Sequence, residues 1–332
     1  MLSVLGAIYG KVIDVRNRLY DRGVFRVHGL GARTVSVGNL TTGGTGKTPL
    51  VAYVASILAN RGEKVCVLTR GYGRSDPGRR VVVSNGENIL TDARTAGDEP
   101  YELAQKLIGK AIVIADADRV AAAKWAIDEF GISVFVLDDG FQHRRAKRDV
   151  DIVCIDATDP AGDGRAAGLS NGKMLPAGRL REPVHNLVRA DIIVITRSAL
   201  VEDISDLRSE ISNLCPNSNV FLANNRISQS QDEIDGLSVA AFCGLGNPDA
   251  FFDQMRNAGV NLVAAKAYPD HHRYSQNDVY ELEQIAVEAG GEYLMTTAKD
   301  AVKLSELKFE MPLLVIEIEV ELDDPKRFAE LI

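Results

Sequence analysis

A chain of 332 residues with 45% hydrophobic and 25% charged side chains is long enough for two domains and ordinary enough in make-up to argue against fibrous, low-complexity or disordered classes. Its 46 acidic against 38 basic residues, a formal charge of −8, argue against a dedicated nucleic-acid binder. The four cysteines, Cys66, Cys154, Cys215 and Cys243, form no CxxC pair and are expected as buried reduced thiols, not a disulfide framework or a zinc site.

The chain opens on a helical pattern over residues 1–23, with Leu5, Ile8, Val12, Val15 and Leu19 spaced by three and four. Lys11, Asp14, Arg16 and Arg18 interrupt any secretory signal core, and no run approaches the ~18 apolar residues of a membrane span. Two readings stay open at this point. The helix packs on its own domain, or it lies in a membrane interface with Arg16, Arg18 and Arg22 among anionic headgroups.

Strands are expected at 34–37, 64–69, 111–115, 133–137, 151–155 and 191–196, with helices over 47–60, 99–108, 119–130 and 204–213. This alternation predicts an α/β fold: a mostly parallel sheet with helices on both faces, spanning 24–225. Residues 157–183, rich in Gly, Pro and Arg, read as a long functional loop. The polar stretch 224–236 is the expected linker to a smaller α/β lobe over 226–332, with strands at 238–243, 261–267, 292–296 and 313–318.

Between the first strand and helix runs Thr41-Thr42-Gly43-Gly44-Thr45-Gly46-Lys47-Thr48. This is the context of a P-loop: glycines let backbone N–H groups face phosphate oxygens, and the helix N-terminus adds positive potential. Lys47 is expected on the β- and γ-phosphates and Thr48 on Mg²⁺. The usual first glycine of the motif is Thr41 here. The strand at 133–137 ends in Asp138-Asp139-Gly140-Phe141-Gln142-His143, an acidic strand end suited to hold Mg²⁺ or its water shell. Order alone does not say whether Asp138 or Asp139 faces the metal.

Together with Gly38-Asn39-Leu40, Thr69-Arg70-Gly71-Tyr72-Gly73-Arg74, Gly97-Asp98-Glu99-Pro100, the run Leu175-Pro176-Ala177-Gly178-Arg179-Leu180-Arg181-Glu182-Pro183, and Asp270-His271-His272, these motifs resemble the tetraacyldisaccharide 4′-kinases over most of the chain. Thr41 belongs to that family's pattern. The resemblance implies a P-loop NTPase-type fold and transfer of phosphate from ATP, with Mg²⁺, to the 4′-hydroxyl of an acylated glucosamine disaccharide 1-phosphate, giving lipid IVA. It also implies attachment to the cytoplasmic face of a Gram-negative inner membrane, which favours the interfacial reading of the first helix.

By the same resemblance Asp98 is the catalytic base and His271 its partner, reaching across from the second lobe, with Lys47 on the transferred phosphate and Glu99 a further Mg²⁺ ligand. Read without the family, Asp98 is a helix N-cap ahead of Pro100. Arg74, Arg119, Arg144, Arg145, Arg179 and Arg181 lie near expected C-terminal strand ends. Of these Arg74, Arg119 and Arg179 are the candidates for substrate phosphate. No nucleic acid and no obligate protein partner is expected. The rival readings are a kinase or ligase acting on a soluble molecule, and a nucleotide switch. Thr297-Ala298-Lys299-Asp300 resembles a guanine-reading motif, but its lysine falls one position late.

Overall fold

The computed structural model describes residues 2–161, 168–169, 172–228, 231–270 and 272–332. Contacts gather them into two compact units, one running to Asn224 and taking in Val320–Ile332, the other Asn225–Glu319.

The chain begins with α1 (Leu2–Asp21) and then lays down β1 (Arg33–Asn39), α2 (Lys47–Asn60), β2 (Val65–Thr69) and β3 (Val81–Ser84). Next come α3 (Ala93–Ala96), α4 (Asp98–Lys106), β4 (Ala111–Ala115), α5 (Arg119–Phe130), β5 (Val134–Asp138), β6 (Val150–Asp156), β7 (Ile192–Thr196), α6 (Ser205–Leu214) and β8 (Asn219–Ile227). The second series is α7 (Gln231–Ile234), β9 (Ser238–Cys243), α8 (Pro248–Asn257), β10 (Asn261–Ala267), α9 (Gln276–Glu288), β11 (Tyr293–Thr297), α10 (Ala298–Ala301) and β12 (Leu313–Ile316). The chain closes with β13 (Ile318–Leu322) and α11 (Pro325–Leu331).

Nine strands form one sheet in the order β13-β8-β7-β6-β1-β5-β2-β4-β3. The pairs from β8 through to β4 are parallel. The edge strand β3 runs antiparallel to β4. Strands β2, β4, β5, β6 and β7 are buried at every residue, as strands covered on both faces must be. The alternation of side chains explains how. Val65, Val67, Val113, Val134 and Val136 pack with Leu50, Val54 and Leu58 of α2. Cys66, Leu68, Ile112, Ile114, Phe135 and Leu137 turn the other way, onto Ala122, Ala123 and Ala126 of α5.

The second unit has its own four-stranded parallel sheet, β10-β9-β11-β12. Val239, Ala241 and Cys243 pack with Phe251, Phe252 and Met255 of α8. Ala240 and Phe242 pack with Leu282 and Ala286 of α9. All four cysteines are buried and unpaired.

Two expectations are corrected. Residues 224–227 are not linker but the end of β8, and α7 lies within the same stretch. Its side chains Asn224, Asn225 and Arg226 are polar because this part of β8 is not fully covered. The sequence also placed everything after 226 in the second lobe. Instead β13 re-enters the large sheet and Phe328 of α11 is buried against Phe221 of β8, ring centroids 5.2 Å apart.

Candidate active site

β1 carries the phosphate loop, and its neighbours fix it from both sides. Asn39 Nδ2 donates to Thr45 Oγ1 at 2.8 Å. Thr196 Oγ1 at the end of β7 donates to the Thr45 carbonyl at 3.0 Å, and Arg197 Nη1 to the Gly44 carbonyl at 2.8 Å. On the other side Thr41 bridges to Leu180, and the Thr42 N–H donates to the Arg179 carbonyl at 2.8 Å. Gly46 is the N-cap of α2 at φ 76°, a left-handed conformation, and no side chain caps the helix. A Cβ there would be strained and would meet Thr196 at 3.3 Å. The first N–H groups of α2 are therefore left to an anion, with the helix dipole behind them. Lys47 and Thr48 are the first two residues of that helix.

β5 ends in the two carboxylates, and the fold treats them oppositely. Asp138 accepts from Thr69 Oγ1 at 2.7 Å. Burial, then the negative charges of Glu99 and Asp139, push its pKa up to about 7. Asp139 has φ 54°, a left-handed conformation unusual outside glycine. It takes both guanidinium nitrogens of Arg181 at 2.7 Å, and Lys47 Nζ stands 3.8 Å away. Burial opposes its ionisation, but Lys47, Arg181 and Arg119 outweigh it and hold this carboxyl well below the usual range.

Among the described residues no three metal-capable side chains cluster into a cage. A Mg²⁺ site at a triphosphate does not need one, because one or two carboxylates share the ion with phosphate oxygens and water. Glu99 and Asp139 stand near enough for their charges to act on Asp138, and a donor set of neighbouring carboxylates fits a cation there.

Glycine also sets up Asp98. Gly97 is the N-cap of α4 at φ 94°, and a Cβ on it would lie 2.6 Å from the Tyr72 carbonyl. Asp98 is thus the first helical residue and not the cap, which removes the capping reading. Asp98 and Glu99 are both half-buried.

The arginines divide. Arg119 is buried at the start of α5 with its Nε unpartnered, and the charges of Asp138 and Asp139 bear on it. Arg179 is partly exposed, its Nη1 3.6 Å from where a Cβ on Gly43 would stand and 3.7 Å from Asp159. Arg74 is held differently. It is buried and turns its fork on the carbonyls of Ala115, at 2.8 Å, and Pro77, so it braces its own loop. In the second unit, His271 lies outside the described residues. Beside it Asp270 pairs with Lys299 at 3.0 Å. His272 stacks on Tyr268 at 4.4 Å and faces Asp278 at 3.4 Å.

In the sequence Arg181 stands among the candidate arginines without being chosen, Asn39 and Thr69 appear only inside motifs and without a role, and Arg197 does not stand out. Arg197, at φ 56°, had no motif to mark it. His143 was quoted only as the end of the acidic motif. Burial, with Arg119 and Arg148 beside it, presses its pKa down to about 4, so it stays neutral at physiological pH.

The family model for tetraacyldisaccharide-1-P 4′-kinase matches residues 1–332. A tetraacyldisaccharide 4′-kinase of Geobacter metallireducens is 39% identical, the match covering 98% of this chain and 95% of the relative. One of Halothermothrix orenii is 36% identical over 100% of this chain and 91% of its own. A crystal structure of LpxK from Aquifex aeolicus in complex with ATP superposes with a TM-score of 0.76, at 30% identity, covering 98% of this chain and 96% of the other.

Proposed function

The chain belongs to the tetraacyldisaccharide-1-phosphate 4′-kinase family, and from that premise we propose that it moves the γ-phosphoryl group of ATP to the 4′-hydroxyl of an acylated glucosamine disaccharide 1-phosphate, the lipid A step that yields lipid IVA. The observation that carries this reading is the uncapped N-terminus of α2 together with Asp139, which Lys47 and Arg181 hold ionised.

The loop 41–48 grips the triphosphate through backbone N–H groups, and Lys47 neutralises charge on the phosphoryl group in flight. Thr48, Asp138, Asp139 and Glu99 are the residues that would hold Mg²⁺, which would offset negative charge on the triphosphate. Asp98 accepts the proton of the 4′-hydroxyl as its oxygen bonds to the γ-phosphorus, and ADP departs with the electrons of the broken bond. His271 is assigned a part in this proton transfer by family resemblance alone. Arg119 and Arg179 take substrate phosphate.

A tetraacylated substrate resides in a bilayer, and α1 supports a place at its surface. Leu5, Ile8, Val12 and Val15 are all exposed, a stripe suited to the interface. Among the described residues no helix is long and apolar enough to cross a membrane. Peripheral attachment to the cytoplasmic face of the inner membrane follows from this reading.

The test is transfer of radiolabel from ATP to tetraacyldisaccharide 1-phosphate in mixed micelles. Wild type transfers label, and Lys47→Ala and Asp98→Ala each lose roughly a hundredfold or more in kcat. Normal transfer by Asp98→Ala removes it from the base role, and no transfer by wild type refutes the reading.

A further inference from the structure

Helix α1 is seated on the loops of the active site by a face that has almost no apolar content. Its buried residues are Gly6, Gly10 and Asn17. A Cβ on Gly6 would stand 2.9 Å from the Met174 carbonyl, so the helix backbone lies directly on the loop that carries Arg181. Gly10 lies against the side chains of Met174 and Pro183, and polar contacts flank the two glycines. Tyr9 Oη donates to the Arg181 carbonyl at 3.1 Å, and Arg16 Nη2 to the Gln142 carbonyl at 2.8 Å. Arg144 donates to the Asn17 carbonyl at 2.8 Å and pairs with Asp21 at 2.7 Å.

At the centre is Glu182, 1% exposed. It accepts from three places: Asn17 Nδ2 of α1 at 3.1 Å, Gln142 Nε2 of the loop after β5 at 2.8 Å, and Arg189 Nη2 at 2.6 Å. A carboxylate so buried persists only with its charge matched and its oxygens bonded. Its chain neighbour is Arg181, whose fork holds Asp139. Gln142 adds a second path, since it also donates to the Asn39 carbonyl at 2.8 Å, which Arg181 Nη2 reaches at 3.2 Å. One peptide bond and one side chain thus separate the seat of α1 from the clamp on Asp139.

We infer that Glu182 is a positioning residue that couples the seating of α1 to the Arg181–Asp139 clamp, so that the carboxylate is held ready for the metal–nucleotide only while α1 is in place. This rests on Asp139 facing the metal–nucleotide, as in the proposed function. The exposed stripe of α1 gives the coupling its use: the helix that meets the bilayer also sets the geometry at the phosphate.

The experiment uses full-length protein with Asn17→Ala, Asn17→Asp and Glu182→Gln. Asn17→Asp keeps the size of the side chain but replaces the donor to Glu182 by a second acceptor. Binding of Mn²⁺ with a non-hydrolysable ATP analogue is measured by calorimetry, and trypsin cleavage in α1 is followed alongside. All three variants weaken binding, roughly tenfold, and speed cleavage after Arg18 and Arg22. Asn17→Asp is at least as impaired as Asn17→Ala, which a packing role does not give. Faster cleavage with wild-type Mn²⁺–analogue affinity in both Asn17 variants overturns the coupling and leaves α1 as an anchor alone. Asp139→Asn is measured beside them. Wild-type affinity in that variant refutes the reading of Asp139 itself, a failure distinct from that of the coupling.

Discussion

Asp138 and Asp139 are adjacent in sequence, and a one-residue step changes their chemistry because it changes what surrounds them. Asp138 points at a hydroxyl, Thr69, among like charges, while Asp139 meets Lys47 and Arg181. A carboxyl whose folded pKa is raised to about 7 favours the protonated state. The stability it lends is therefore complete below its unfolded value of about 4 and is lost as pH rises through about 7. Melting temperature of the nucleotide-free protein is accordingly expected to fall as pH rises from about 4 to about 7, and Asp138→Asn flattens that slope while abolishing transfer. Differential scanning fluorimetry across pH reads this directly. A slope unchanged in Asp138→Asn assigns the dependence to another group. Cation binding at Asp138 calls for its ionised form, so calorimetry below pH ~7 in buffers of different ionisation enthalpy shows proton release on loading with Mg²⁺ and nucleotide.

At the scale of elements, α1 inverts the usual logic of an amphipathic helix. Its small and polar face is inward and its apolar stripe outward, with Ile8 54% and Val12 58% exposed, whereas a helix covering a core does the reverse. The stripe itself was plain in the sequence at spacings of three and four. The side it faces was not, because spacing shows only that apolar residues share a face. Ile8→Glu with Val12→Glu is expected to leave the far-UV spectrum and melting temperature unchanged, since neither side chain is buried. Association with anionic vesicles drops, each lost side chain being worth roughly 1.5–3 kcal/mol in an apolar surround. Co-sedimentation gives the answer, and unchanged binding removes the stripe from membrane attachment. α4 makes a related point. The Gly97-Asp98-Glu99-Pro100 run was visible as a helix start, yet only the φ of Gly97 showed that glycine, not Asp98, is the cap.

For the whole molecule, the unexpected feature is the return of the C-terminus to the first unit. Phe328 is fully buried between Phe221 and Tyr53, and Arg61 donates to the Ile332 carbonyl at 2.8 Å. Phe328→Ala is expected to destabilise the protein by about 3–5 kcal/mol, through lost burial and the cavity left behind. Urea unfolding followed by far-UV circular dichroism measures it. A cost under about 1 kcal/mol, within the range of surface changes, contradicts a core role for the tail.

The sequence by itself determined the strand–helix alternation, the phosphate loop, the acidic end of β5 and the family, because each is written in short contiguous runs whose spacing matches a backbone period or a local turn. Tertiary structure alone decided the partners: Arg181 on Asp139, Thr69 on Asp138, Glu182 under α1, Arg74 turned to its own backbone, and α11 on the first sheet. The contacts of Arg181 with Asp139, Thr69 with Asp138 and Glu182 with Asn17 join residues 42, 69 and 165 positions apart. Nothing in local propensity encodes them, since they exist only once the parallel sheet has brought its strand ends together.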